Sequence, residues 1–309
     1  MKISTPTIMA LLATLFAVSS GYTQLHTLPI KSTPDLQAYF HYTGNGKQII
    51  SGHRGSYIAG YPENAIETFE YVLKHTAAFF EIDPRLTKDS VIVLLHDSTL
   101  DRTTTGKGRL ADYTWEEVKQ LRLKDKDGKP TPYRIPTLQE AIDWARGKTV
   151  LNLDKKDVPL PMTANIIKKN NAATFVMVTV HNAKQAKFYY DADSRLMMSA
   201  FVKTEKALKE YEDAGVPWKN MIAYIGSENK PANKIMFDLL HARAVMCMIS
   251  AAPVYDKLPI VQERAASYRD IFVQGADILE SDYPVEVAAA MKKAAGVSDV
   301  ASCLNCQPP

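Results

Sequence analysis

The feature that most constrains this chain is an alternation of short β-rich apolar runs with longer amphipathic stretches. The runs fall at 48–51, 79–83, 91–95, 149–154, 175–180, 196–201, 221–225, 244–249 and 277–280. Helical patterns lie between most of them, at 63–75, 137–145, 162–169, 182–190, 204–214, 231–240, 259–269 and 284–293. Several open with Pro or with Ser, Thr, Asp or Asn, residues that lack the free amide of a first helical turn or satisfy one. Strands that alternate with helices pair in parallel, because each return across the sheet needs a crossover. One gap breaks this rule. Only 84–90 separates the second run from the third, whereas a parallel crossover takes about a dozen residues. The segment 86–90 is turn-like, so 91–95 reads as the return arm of a hairpin. Eight parallel strands remain, the number that closes a (β/α)8 TIM barrel. An open doubly wound sheet is the competing architecture, but no Gly-x-Gly-x-x-Gly follows the first strand. The polar stretch 98–136, after the hairpin, carries one short helical pattern (114–123) and reads as a small insertion above the barrel.

Composition removes several function classes. Lys+Arg number 37 against 34 Asp+Glu with no dense basic block, so the concentrated positive face of a nucleic-acid binder is missing. Hydrophobic residues make up 46% of the chain, too much for a disordered one, and no apolar run reaches the ~18 residues of a membrane-spanning helix. Residues 1–23 read as a signal peptide: Lys2 supplies the positive start, 8–18 the apolar middle, and Ser19, Ser20 and Gly21 the small residues of a cleavage site. No cysteine lies near that cut, so no lipid anchor is implied. The expectation is an exported protein, periplasmic or secreted, with 24–309 forming one barrel domain. In an oxidising compartment Cys303 and Cys306 can close a small disulfide, or one of them can reach Cys247. A structural or incidental role is expected for all three.

Barrel enzymes place their chemistry at the C-terminal ends of the strands. The first run ends Ser51-Gly52-His53-Arg54-Gly55, the second Glu81-Ile82-Asp83, the hairpin return Leu95-His96-Asp97, and the next barrel strand Asn152-Leu153-Asp154-Lys155-Lys156. Side chains alternate along a strand, so Glu81 and Asp83 share one face, as do Asn152, Asp154 and Lys156. Three carboxylates from adjacent strands (Glu81, Asp83 and Asp154) can hold a hard divalent cation such as Mg²⁺ or Ca²⁺. The alternative is that Asp83 and Asp154 form salt bridges with Arg85 or Lys156. His53 and His96 both sit at strand ends, and a return of the hairpin brings His96 back to the level of Asp83, opposite His53. Two imidazoles flanking a cation suit proton transfer to and from phosphoester oxygens. Arg54 and Lys156 add fixed positive charge at the same rim, which makes it a site for an anion, most commonly a phosphate. His75, His181 and His241 read as helical, His26 and His41 as lying near the N-terminus, and all five as structural or surface residues.

In order and spacing, His53-Arg54-Gly55, Pro62-Glu63-Asn64, Glu81-Ile82-Asp83, Leu86-Thr87-Lys88-Asp89, His96-Asp97 and Leu100 resemble the N-terminal half of the glycerophosphodiester phosphodiesterase family. The likeness is dense over 49–106, resumes at 135–138 and 151–156, and returns weakly at 275–284. It implies a metal-dependent barrel that hydrolyses glycerophosphodiesters to an alcohol and glycerol 3-phosphate. It implies His53 and His96 as the acid–base pair, Arg54 and Lys156 as phosphate ligands, and Glu81, Asp83 and Asp154 as ligands to the cation. Glu63 falls where the family has an active-site carboxylate, and it is equally a favourable charge at a helix N-terminus.

Asp154 stands where the family usually has Glu, and so reaches one methylene less far. Lys155 stands at a usually apolar place, so a slipped alignment would make it the phosphate ligand; alternation favours Lys156. Glu280 reads as an extra polar wall and Asp282 as a helix N-cap. The aromatic motif that many members carry on the seventh strand is not recognisable, which leaves the leaving-group pocket undefined.

Two further readings compete: a phospholipase-D-like action on intact lipids, or a non-catalytic barrel that binds phosphate. The insertion is polar (Lys107, Arg109, Lys124, Asp125, Lys126, Asp127, Lys129), which favours a water-soluble, deacylated substrate over a bilayer. No nucleic acid and no stable membrane anchor are expected as partners.

Overall fold

Alternation along the strands divides the hydrophobic core into two layers. Ile50, Phe80, Ile82, Leu151, Leu153, Val176 and Val178 face outward onto helices, while Ile49, Phe79, Val150, Met177, Met197, Ile222, Met246 and Ile278 fill the inside of a cylinder. These are the two faces of the same strands, the arrangement of a barrel whose interior is packed.

The computed structural model describes residues 24–294; the expected signal peptide and the tail with Cys303 and Cys306 lie outside the described residues. In chain order the elements are α1 (Thr33–Tyr39), β1 (Ile49–His53), α2 (Ile66–His75), β2 (Phe79–Ile82), β3 (Pro84–Leu86), β4 (Ile92–Leu94), α3 (Trp115–Val118), α4 (Leu138–Ala145), β5 (Leu151–Leu153), α5 (Leu160–Lys169), β6 (Val176–Val180), α6 (Ala183–Ala192), β7 (Met197–Phe201), α7 (Glu205–Asp213), β8 (Met221–Gly226), α8 (Asn233–His241), β9 (Cys247–Ser250), α9 (Val261–Val273), β10 (Ile278–Ser281) and α10 (Pro284–Ala294). Eight strands close in the order β1-β10-β9-β8-β7-β6-β5-β2, every pairing parallel, and β3 and β4 stand outside as an antiparallel hairpin. The fold is the (β/α)8 barrel expected from the sequence. Thr137, Asn182 and Thr204 cap α4, α6 and α7 with their side-chain oxygens, as their positions before the apolar periodicity require.

The bottom of the barrel is closed by an element that periodicity does not reveal. Residues 24–47 read as a polar stretch, yet α1 forms there with Ser32 as its cap. It inserts Leu36 and Phe40 beneath the strands, with the Phe40 ring edge-on to Phe79 at 5.2 Å. Seven residues are too few to display a helical period, and only burial under the barrel stabilises so short a helix.

Residues 98–136 pack a small core of their own, in which Leu100, Leu110, Val118, Leu123 and Ile135 close on Val93 and Leu95 of the hairpin. Cys247 is buried at the start of β9 and forms no disulfide among the described residues. His241 ends α8 against Asp277 at 2.8 Å and stacks on Tyr42. His75 ends α2. His181 departs from its helical reading: it follows β6 directly and stands at the barrel mouth. Among the described residues no helix is long and apolar enough to cross a membrane.

Candidate active site

Going up the barrel, the interior turns from apolar to polar to charged. Above the hydrophobic floor lie buried Ser51, Glu81, Asn152, Thr179, Ser199, Ser250 and Glu280. Strand register sets Ser51 beside Glu280, Glu280 beside Ser250, and Glu81 between His53 and Asn152. His53, Asp83, Asp154, His181 and Asp282 come next along their strands and crown this layer.

The turn leaving β1 is tight enough to dictate its glycines. A Cβ on Gly52 would meet the Gly55 carbonyl at 2.4 Å and the Phe80 ring at 2.8 Å, and Gly55, at φ +92°, lies 2.8 Å from Phe69 in the same sense. Arg54 itself takes φ 52° and Asn64 φ 59°, left-handed conformations that cost a side-chain-bearing residue about 1–3 kcal/mol unless its surroundings hold it there. Hydrogen bonds provide that hold. The Arg54 amide donates to Glu81 Oε2 at 3.2 Å, the Asn64 amide to the Arg54 carbonyl at 2.8 Å, and Asn64 exchanges two bonds with Asp83, its Nδ2 donating at 2.6 Å and its Oδ1 accepting at 3.0 Å. Asn64 thus locks the first loop to the second strand, a role that sequence reading did not give it.

Glu81, Asp83 and Asp154 converge, each offering a carboxylate oxygen within 4.8 Å of the others. The shorter Asp154 therefore reaches the group despite its missing methylene. Lys156 places its ammonium 3.0 Å from Asp83 and also against Asp154, while Lys155 turns away to donate to the Lys156 carbonyl. Arg54 Nε approaches Asp83 at 3.5 Å. Arg85 pairs instead with Asp157 and the His96 carbonyl. The salt bridges form, with Lys156 rather than Arg85 as the partner, and the three carboxylates converge beside them.

Two cations do not neutralise this group. Burial pushes the Glu81 carboxyl well above its ordinary range, and Asp83, Glu280 and Asp154 push it further. Burial also raises Glu280. For Asp83, burial acts upward, but Lys156, Arg54 and the Asn64 hydrogen bond outweigh it and hold the carboxyl low. Asp83 Oδ1 is buried and faces the Lys156 ammonium at 3.0 Å. An all-oxygen, acid-rich group whose carboxylates outnumber the cations beside it fits a hard divalent cation.

Each of the two candidate histidines is fixed by a carboxylate. His53 Nδ1 lies 2.7 Å from Asp282 Oδ1, its Nε2 lies 4.0 Å from Glu81, and Lys257 reaches the other Asp282 oxygen at 3.4 Å. Burial lowers the His53 pKa, but Asp282 and Glu280 outweigh it and the net shift is upward. His96 Nδ1 lies 2.8 Å from Asp97; burial prevails there and its pKa is lowered. A carboxylate on Nδ1 leaves Nε2 free to exchange a proton with a bound molecule. Asp282, read from sequence as a helix cap, is thus the partner of His53. The backbone explains its placement: the Asp282 amide donates to buried Asp256 at 2.6 Å, which also accepts from Tyr268 and Ser281.

Asp97 is held in turn by Arg102, at 2.8 and 2.9 Å, which also grips both oxygens of Glu63 at 2.8 Å. Glu63 touches Arg54 at 3.3 Å. Glu63 lies two residues before Ala65, the cap of α2, and ties Arg54 to Arg102 of the insertion.

Asp282 and Asp97 each hold one imidazole in place in this geometry. Asp282→Ala is expected to lower kcat by about 10²–10⁴-fold, the range that a positioned acid or base supplies, while KM changes little, since it removes the group that fixes the imidazole. Asp282→Glu should recover part of the loss. Equal losses in kcat and melting temperature for both variants would assign Asp282 to the fold alone.

The model of the glycerophosphoryl diester phosphodiesterase family matches residues 53–206. A glycerophosphoryl diester phosphodiesterase from Parabacteroides distasonis, known from its crystal structure, is 51% identical, with a TM-score of 0.86 over 91% of this chain and 98% of that one. A glycerophosphodiester phosphodiesterase of Caldanaerobacter subterraneus is 41% identical over 106 residues, which is 34% of this chain and 43% of that protein; the chain thus matches less than half the length of this curated relative. An Oleispira antarctica phosphodiesterase, solved with the product sn-glycerol-3-phosphate, shares the fold at 19% identity and a TM-score of 0.64, over 83% of this chain and 99% of that one.

Proposed function

Because the chain belongs to the glycerophosphoryl diester phosphodiesterase family, we propose that it hydrolyses glycerophosphodiesters, the deacylated remnants of phospholipids, to an alcohol and sn-glycerol 3-phosphate. The observation that carries this reading is the pairing of two carboxylate-fixed imidazoles, His53–Asp282 and His96–Asp97, around a cluster of acids that also holds Arg54 and Lys156. The product bound to the Oleispira relative agrees with it.

Glu81, Asp83 and Asp154 would hold the divalent cation, Mg²⁺ or Ca²⁺, which when bound supplies charge stabilisation to the phosphoryl oxygens. The rest of the work falls to the chain's own groups. Arg54 and Lys156 draw the phosphodiester anion to the rim and offset the charge that develops on its equatorial oxygens. One imidazole Nε2 accepts a proton from the attacking oxygen, and the other donates a proton to the departing alcohol. Asp97 and Asp282 keep both rings in the orientation this exchange needs. Glu63, through Arg102 and Arg54, sets where the phosphate is gripped.

The test is the release of glycerol 3-phosphate from glycerophosphoglycerol, glycerophosphoinositol, glycerophosphoethanolamine and glycerophosphocholine. Release is expected with Mg²⁺ or Ca²⁺ and not after chelation, with recovery on adding the cation back. Cation binding with no release from any diester would mark the barrel as a phosphate-binding protein.

A further inference from the structure

Beside the acid cluster, across β6 and β7, the barrel mouth carries a shallow, open hollow lined by His181, Phe201, Lys203 and Ala207. His181 Nε2 stands 3.9 Å from Asp154, so this hollow adjoins the carboxylates proposed to sit under the phosphate. Its wall is aromatic. His181 tilts over Phe201 at 4.5 Å, and Phe201 meets Tyr224 edge-to-face at 4.5 Å. A bare aromatic wall at this position would suit a choline or ethanolamine head group, since ammonium groups settle on ring faces.

Here that place is taken. Lys203 Nζ lies 4.8 Å from the centre of Phe201 and 4.7 Å from that of Tyr224, within the range of a cation–π contact to both. No carboxylate lies within ion-pairing distance of Lys203 among the described residues. Its direct contacts are with ring faces, at the edge of a rim that already carries Lys155 and Lys156. A second cation entering the hollow would meet Lys203 where the rings favour it most, and Asp154, across His181, is already engaged by Lys156.

Resting on the phosphodiesterase reading above, we infer that this hollow receives the alcohol half of the substrate and that Lys203 selects an alcohol without positive charge, a neutral polyol or an anionic group, against quaternary and primary ammonium head groups. Lys203 acts as a built-in occupant of the ammonium place: it repels the wrong ligand and leaves an exposed donor for hydroxyl or anionic oxygens.

The experiment compares kcat/KM for glycerophosphoglycerol and glycerophosphoinositol with that for glycerophosphocholine and glycerophosphoethanolamine in the wild type, Lys203→Met and Lys203→Arg. The wild type should favour the uncharged alcohols on the order of tenfold, the scale of one like-charge contact near a protein surface. Lys203→Met keeps the stem and removes the charge, and should bring the ratio close to one by raising turnover of the choline ester. Lys203→Arg should keep the preference. Equal turnover of all four diesters by the wild type, or an unchanged ratio in Lys203→Met, overturns the inference while leaving the phosphodiesterase activity standing. No glycerol 3-phosphate from any of them, with cation present, overturns both.

Discussion

His53→Ala and His96→Ala are each expected to lower kcat by about 10²–10⁴-fold, the usual contribution of a positioned acid or base, while the fold survives. Both rings are partly exposed at the rim, with side chains 20% and 33% accessible, so their removal empties no core cavity. The losses should be far from additive, because once one proton transfer is missing the second has little left to accelerate. Steady-state kinetics with a thermal melt on each variant checks both parts. A His96 variant that keeps more than a tenth of kcat would remove His96 from the reaction and turn its pairing with Asp97 into a loop tether.

Asp83→Asn is expected to raise the cation concentration needed for half-maximal activity by about 10²-fold or more, since substitutions in the groups that merely orient a ligand already cost about 10- to 100-fold. The physical reason lies in what surrounds the residue. Asp83 is fully buried, its Oδ2 is held by Asn64 and its Oδ1 faces only the Lys156 ammonium, at 3.0 Å, among the described residues. The amide preserves volume but removes the charge that Arg54, Lys156 and a cation share. Calorimetric titration with Mg²⁺ and with Ca²⁺ reads the loss directly, apart from turnover. Unchanged cation affinity would remove Asp83 from the ligand set and leave its ion pairs with Lys156 and Arg54 as its whole purpose.

Much of this was legible in the sequence. The short gap at 84–90 separated the hairpin from the barrel, and period-two alternation placed Glu81 with Asp83, and Asp154 with Lys156, on the inner face. The structure keeps Lys156, not Lys155, against the acids, as alternation required. The pairing of Asp97 with His96, its neighbour in the chain, was given no role by the sequence and came from the structure. Asp282 could not be paired with His53, since 229 residues separate them and the sequence beside it reads as a helix start. His181 was misplaced for a related reason: the polar pattern of α6 begins only two residues later, and a boundary is the least certain part of any periodic pattern. The aromatic wall of Phe201 and Tyr224 comes from two strands, neither of which carries a recognisable motif alone.

What the sequence determined by itself is whatever local chemistry encodes: the period of each element, the caps, the glycines of the first turn and the residue types at each strand end. What only the tertiary structure decided is which distant groups face one another. Closing the barrel brings β10 back beside β1, and with that closure Asp282 reaches His53 and Glu280 joins the buried acids. The division follows from the range of the forces. Backbone sterics and side-chain alternation act over a few neighbouring residues, whereas burial of charge and the pairing of an imidazole with a carboxylate depend on distance in space, which the chain sets only once its ends have met.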